Sequence, residues 1–245
     1  MFDAHVHIGY WKEGGELKYY SPRRIAGVLE RCGVQEFIVS STSPQAGAIN
    51  VADLIREAEE MKRVSCGHAH IYCWLTGAMY EADPQLTILE NKIYEGVKLH
   101  EGETSWNGER RDCLKRILDK ASECKLNVMF HCGARGDCMP NALAWTAKSY
   151  PELKFNFAHC RPTTQAIEIM RKYHNVYTDI SCLNADDVKL VTSWDVAERI
   201  MYGSDFPAIR SCSELTKSYR DRLATIAGLC MTNKLDAAFL KFIKN

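Results

Sequence analysis

His5 and His7 stand in the segment Asp3-Ala4-His5-Val6-His7-Ile8-Gly9. Side chains two apart on a strand share a face. Read as a strand, the segment sends both imidazoles to one side and Val6 and Ile8 to the other. Two imidazoles on one face suit a divalent metal, with Zn–N distances of about 2.0–2.1 Å. A His-x-His pair carries little weight alone, since two unrelated strand histidines give the same pattern. Three further segments add weight. Asn127-Val128-Met129-Phe130-His131-Cys132-Gly133 is an apolar run ending in histidine and then glycine. Phe155-Asn156-Phe157-Ala158-His159-Cys160-Arg161 repeats that pattern. Ile200-Met201-Tyr202-Gly203-Ser204-Asp205-Phe206-Pro207 ends in an aspartate before a proline break.

These residues need elements to hold them. Eight short β-branched or aromatic runs are candidate strands: Phe2–Ile8, Glu36–Ser40, Val64–Cys73, Tyr94–Leu99, Asn127–His131, Lys154–His159, Val176–Ile180 and Arg199–Tyr202. Between them lie candidate helices Pro22–Cys32, Ala48–Arg63, Arg110–Glu123, Ala142–Ser149, Thr163–Tyr173 and Asp186–Val191, followed by Ser213–Ala227 and Lys234–Lys244. Such alternation predicts βαβ units and a parallel sheet. Eight units in 245 residues fit an α/β fold of the (β/α)8 TIM-barrel type. A doubly wound open sheet would carry a Gly-rich turn after its first strand, and this chain has none there. No Pro/Gly/Ser-rich linker divides the sequence, so residues 1–245 are expected to form one barrel domain. Active sites of such barrels lie at the C-terminal ends of the strands. His5 and His7, His131, His159 and Asp205 sit at those ends in candidate strands one, five, six and eight.

The chain has 31 basic and 31 acidic side chains and a formal net charge of +0, which removes the electrostatic footprint of a general nucleic-acid binder. No apolar run of about 18 residues predicts a membrane span. Met1-Phe2-Asp3-Ala4-His5 lacks the basic and apolar regions of a signal peptide. The 11 cysteines therefore read as reduced thiols of a cytoplasmic protein rather than a disulfide framework.

Taken together, the motifs resemble the amidohydrolase superfamily, in its amidohydrolase-2 branch of metal-dependent hydrolases and decarboxylases. The resemblance rests on Asp3-Ala4-His5-Val6-His7, Gly96-Val97-Lys98-Leu99-His100, Phe130-His131-Cys132-Gly133, Phe157-Ala158-His159-Cys160 and Tyr202-Gly203-Ser204-Asp205-Phe206-Pro207. Asn175-Val176-Tyr177-Thr178-Asp179-Ile180-Ser181 resembles that branch's seventh strand. The resemblance implies a metal at the barrel mouth held by His5, His7, His131 and Asp205. It implies catalytic roles for Asp205, as general base then acid, and for His159, which polarises substrate or moves protons. In binuclear relatives His159 is a ligand to a second metal and a lysine at the Lys98 position bridges the two. Both uses stay open here, with one metal favoured. Zn2+ is the expected ion, with Mn2+ an alternative, because the same N/O shell accepts several divalent ions.

The expected reaction is hydrolysis of a small amide, ester or lactone carbonyl. The alternative is non-oxidative decarboxylation of a small aromatic or unsaturated acid. The expected partner is a small-molecule substrate, with no nucleic acid or membrane, and a homodimer would be unsurprising. His100, Arg135, Arg161 and Trp11 are candidate substrate-binding residues; either arginine could pair a substrate carboxylate bidentately. Tyr10, Lys12, Glu101, Glu103 and Trp106 are further candidates for the pocket wall. Few connections are long enough to shape a pocket; Tyr10–Tyr20 and Glu101–Gly108 are among them. An open site with a small substrate, or one completed by a partner chain, follows. His68 and His70 are expected away from the mouth, and His174 at the opposite rim. Cys132 and Cys160 should point into the helix layer, since neighbouring strand positions face opposite sides. Cys182 is undecided.

Overall fold

The structure is a computed structural model and describes residues 1–47, 50–100, 105–133, 136–209, 213–227 and 232–244. The first strand, β1 (Phe2–Glu13), turns at Gly14-Gly15 into β2 (Glu16–Tyr20), its antiparallel partner. Both turn glycines have positive φ, +58° and +88°, which suits a two-residue hairpin turn. The remaining strands are β3 (Glu36–Ser41), β4 (Ala69–Trp74), β5 (Tyr94–His100), β6 (Asn127–His131), β7 (Phe155–Ala158), β8 (Val176–Asp179) and β9 (Ile200–Met201). They pair in parallel in sequence order, from β1·β3 to β8·β9.

The curled sheet closes on itself. Beyond β9, Phe206 bridges Val6 in parallel, Ala4 N donates to Tyr202 O at 2.7 Å, His7 N to Phe206 O at 2.7 Å, and Asp205 N to His5 O at 2.8 Å. Asp3 pins this seam. Its Oδ1 accepts from His5 N and Ser204 N, both at 3.0 Å, and its Oδ2 from the Tyr219 hydroxyl at 2.6 Å. The architecture is a (β/α)8 barrel of β1 and β3–β9, with β2 outside it.

The helices are α1 (Pro22–Arg31), α2 (Val51–Val64), α3 (Gly77–Ala82), α4 (Arg111–Cys124), α5 (Pro140–Ser149), α6 (Thr163–Lys172), α7 (Ala185–Thr192), α8 (Leu215–Ala227) and α9 (Thr232–Ile243). Several start on side-chain caps: Ser21 accepts from Arg24 N, Asn50 from Asp53 N, and Asn184 from Asp186 N and Asp187 N. Their apolar faces meet the outward faces of the strands. Val6, Val39, Ile71, Val97, Val128 and Phe157 belong to that buried shell, and so do Cys132 and Cys160.

The barrel interior has two layers. The lower one is apolar: Ala4, Ile38, Tyr72, Met129, Ala158 and Met201 pack together under Phe239 and Phe242 of α9. Gly96 makes room for Tyr72, since a Cβ there would fall 2.5 Å from the ring. The upper layer is polar and holds buried His5, His7, Ser40, Lys98 and Asp179. Strict alternation would not place both Ala4 and His5 inside. A register shift between Asp3 and Val6 in the β1·β3 pairing does so, as a bulge can.

Two sequence expectations change. The 10–20 connection is a hairpin rather than a loop, its strands secured by Tyr20 donating to Glu13. Val64 ends α2, and the strand expected at Val64–Cys73 begins at Ala69. No helix among the described residues is long and apolar enough to cross a membrane.

Candidate active site at the barrel mouth

Each side chain of the polar layer comes from a strand end. His5 and His7 are 1% and 2% exposed on β1. His7 Nε2 lies 3.0 Å from Asp205 Oδ1 and its Nδ1 3.1 Å from Ser40 Oγ. His5 Nε2 lies 3.6 Å from the same Asp205 oxygen. Ligand-capable atoms of His5, His7 and Asp205 all fall within 4.8 Å of one another, as a shared cation requires. Asp205 adopts φ +53° and His159 φ +73°, left-handed conformations that cost energy for residues other than glycine and cluster at functional sites.

The other expected residues take these places. Lys98 is fully buried, its Nζ 3.0 Å from His5 Nε2. His131 stands apart from the His5–His7–Asp205 group; its Nδ1 lies 2.9 Å from His159 Nε2. His100 ends β5 and stacks on His131, with ring centroids 4.0 Å apart. Trp11 stacks on His7 at 6.1 Å and lines a cleft of about 1030 Å3 with Tyr10, Lys12, Thr42 and Arg110. Arg161 follows β7 with its Nε buried and without a hydrogen-bond partner, close enough to Cys182 for its charge to act on that thiol. Arg135, Glu101 and Glu103 lie outside the described residues. Trp106 does not line the cleft: it is fully buried against Tyr80. His70 is at the opposite end, between Glu36 and Glu95.

Sequence reasoning named no role for Asp179, Ser181 or Cys182. Asp179 Oδ1 accepts from His159 N at 3.2 Å, Ser181 N at 3.1 Å and Ser181 Oγ at 2.5 Å. Its Oδ2 accepts from Asn156 Nδ2 at 3.0 Å and lies 3.2 Å from His5 Nδ1. Ser181 Oγ and Cys182 Sγ both approach His159 Nδ1, at 2.6 and 3.2 Å. The one signal in the sequence was the strand-seven run ending Asp179-Ile180-Ser181.

Burial sets the protonation states. It lowers His7 to about 4, and His100 also to about 4 with help from the Lys98 charge. Burial and the neighbouring His159 push His131 far down, and burial with His5 does the same to His159. Neutral imidazoles keep lone pairs at neutral pH. Burial alone would raise Asp205, but the charge of His5 and the hydrogen bond from His7 outweigh it and hold the carboxyl below its usual range.

This donor set fits a divalent cation: two buried imidazoles and an ionised carboxylate at ligand spacing. Lys98 fits beside a cation only as the neutral amine or the carboxylated form, and its burial pushes the ammonium pKa down in that direction.

Solved structures share the architecture. A "probable 2-pyrone-4,6-dicarboxylic acid hydrolase" from Acinetobacter baumannii, with citric acid bound, is 11% identical with a TM-score of 0.66, over 97% of this chain and 94% of that one. The 4-oxalomesaconate hydratase LigJ from Rhodopseudomonas palustris is 11% identical with a TM-score of 0.65, over 98% and 93%. The apo IDCase from Metarhizium anisopliae is 14% identical with a TM-score of 0.61, over 90% and 76%. At these identities the likeness shows the fold. No curated protein matches the chain by sequence. The family model Amidohydro_2, described as amidohydrolase, matches residues 86–240, more than half of the chain. That stretch carries Lys98, His131, His159, Asp179 and Asp205, while His5 and His7 precede it. The chain belongs to the amidohydrolase family and is an enzyme of the hydrolase type.

Proposed function

We propose that this enzyme is a metal-dependent hydrolase of a small amide, ester or lactone, with zinc as its resident ion. The clustering of His5, His7 and Asp205 within 4.8 Å carries the reading. His131 is the proposed fourth ligand. A divalent ion held there supplies Lewis acidity toward a carbonyl oxygen and makes water acidic near neutral pH. Asp205, already ionised, takes the proton of the attacking water and returns it to the leaving group. His159, held by Ser181, stabilises charge that develops on the carbonyl oxygen. The cleft that Trp11 lines beside His7 receives the substrate. The free thiols of all nine described cysteines support a reducing, cytoplasmic setting, and recovery in the secreted fraction would count against it.

One observation favours the second reading, non-oxidative decarboxylation of a small acid. The half-buried Arg161, with its unpartnered Nε, offers a seat for a substrate carboxylate near Cys182. Arg161→Ala should then raise KM for carboxylate substrates about tenfold or more, while neutral esters are unaffected. Assaying a panel of small acids, esters and lactones for CO2 release against ring or ester opening separates the two chemistries. Asp205→Asn should fold normally and lose about 10²–10⁴-fold in turnover. Full turnover by that variant would defeat the assignment.

A further inference from the structure

We propose that Glu57 is a positioning residue for the cleft: its buried carboxylate fixes the β1–β2 hairpin through Ser41, Ser43 and Tyr19, and so sets where Trp11 stands against the substrate, an inference that rests on the function proposed above. Glu57 lies in the middle of α2 and is 7% exposed. A buried carboxylate is costly unless donors replace its lost water. Here the donors are three hydroxyls. Ser41 Oγ donates to Oε2 at 2.5 Å, Ser43 Oγ lies 3.2 Å from both carboxyl oxygens, and the Tyr19 hydroxyl donates from β2. Ser41 and Ser43 are themselves buried, at the end of β3 and just after it.

Each serine hydroxyl has one proton and gives it to Glu57, which leaves its oxygen free to accept. Ser43 Oγ accepts from Tyr10 N at 3.1 Å, and Ser41 Oγ accepts from Ser43 N at 3.2 Å. The carboxylate thus reaches β1 through a serine and β2 through a tyrosine. Both routes arrive at one place, because Tyr10 pairs with Tyr19 across the hairpin and their ring centroids are 4.7 Å apart. Thr42, between the two serines, completes the grip. Its Oγ1 lies 2.9 Å from Ile8 O and 2.7 Å from Tyr10 O, and its N donates to Ile8 O at 2.9 Å. Gly9 permits this close approach: its φ is +90°, and a Cβ there would fall 2.3 Å from Ser43 Oγ and 2.6 Å from Ser41 Oγ. Trp11 follows Tyr10 on β1, stacks on His7 and lines the cleft. The end of β3 serves both sides of this wall. Ser40 meets His7 inside the barrel, while Ser41, on the opposite face, meets Glu57. Glu57 neither lines the cleft nor belongs to the candidate metal cluster, so it acts on the substrate through the hairpin alone.

Amide hydrogen exchange and steady-state kinetics of Glu57→Gln and Tyr19→Phe in the intact chain test this, with 4-nitrophenyl acetate as the ester probe. Tyr19 is 40% exposed, so removing its hydroxyl spares the fold even where Glu57→Gln does not. Exchange at Tyr10 and Trp11 should quicken about 10–100-fold in Glu57→Gln and by a smaller factor in Tyr19→Phe, well beyond any change at Val128 and Met129 of β6 on the far wall. KM for the ester should rise about 3–10-fold with kcat within about twofold of wild type, as when binding shared by substrate and transition state is lost. Equal quickening at β1 and β6 would make Glu57 a general stabiliser and overturn the proposal. Hairpin exchange unchanged in both variants, or a KM unchanged while the hairpin loosens, would overturn it too. A wild type inert toward the ester counts against the proposed function instead, and the exchange rates still decide whether Glu57 holds the hairpin.

Discussion

Gly96→Ala puts a methyl group where the Tyr72 ring already lies. The new Cβ would stand 2.5 Å from Cε2 and Cζ and 2.7 Å from Cδ2. Carbon atoms pack at about 3.5–4.0 Å, so ring or strand must move by about 1 Å. Tyr72 is 1% exposed, and Phe239 and Phe242 of α9 close the layer in which it packs. Overpacking of this kind costs about 1–3 kcal/mol, and removing a strand glycine returns about 0.5–1 kcal/mol. The net is a loss of about 1–2 kcal/mol. At roughly 2–4 °C per kcal/mol for a chain of this size, Tm should fall by about 2–8 °C in thermal unfolding. Tyr72→Leu relieves the clash, so the double variant should be less destabilised than the two singles added together, with a coupling of about 0.5–3 kcal/mol. Bound metal per folded chain should not change, because the substitution lies in the apolar layer. A Gly96→Ala Tm at or above wild type, or additivity within about 0.5 kcal/mol, would refute the packing argument.

If the site holds the proposed ion, chelation should lower Tm, and zinc added at about 100 times its Kd should restore about 2.7 kcal/mol of stability; a Tm indifferent to both would count against a metal in the native site. In the metal-free protein His7 has a folded pKa of about 4, below its ordinary 6.5, because burial disfavours its charged form. The unfolded chain then binds more protons across that window, so stability should fall as pH drops from about 6.5 to about 4, by on the order of 3 kcal/mol from His7 alone, with His100 adding in the same direction. Urea unfolding across this range, repeated with His7→Asn, measures the slope; a flat wild-type profile would contradict the burial argument. Gly203→Ala places a Cβ 2.9 Å from Asp179 Cβ, Cγ and Oδ1 and should cost about 1–3 kcal/mol; an unchanged Tm would show that Asp179 can yield.

The barrel was legible because each strand carries its own signal. Apolar residues on alternate positions face the helices, and the runs end in His131, His159 and, just past the last, Asp205. Cys132 and Cys160 were placed in the outer shell by the same rule. The hairpin of β1 and β2 was missed: Gly14-Gly15 between two polar–aromatic runs signals it, but those runs are half exposed and read as a loop. What could not be read was geometry set by the backbone. The shift between Asp3 and Val6 lets two successive residues point inward, and no residue type announces it. The left-handed turns at His159 and Asp205 depend on contacts far along the chain. The chain of bonds from Asp179 through Ser181 to His159 arises only because β7 and β8 are neighbours. Trp106 looked available because it follows a strand, yet packing against Tyr80 buries it.

The seam between β1 and the segment after β9 is built from the same residues as the candidate site. His7 and Asp205 each donate a backbone hydrogen bond across it, to Phe206 and His5, while their side chains meet 3.0 Å apart on the mouth side. A cation held by those side chains would therefore act as a latch on the barrel. Opening the seam would require releasing the ion, and losing the ion would lower the barrier to opening. Amide exchange at His7 and Asp205 should then slow on loading by the full factor of metal affinity, while amides on the far wall, at β5 and β6, slow only as far as the whole barrel is stabilised. The ion would be a fastener for the fold as well as a reagent for the chemistry, and the metal-starved enzyme would be lost to proteases at this seam before anywhere else.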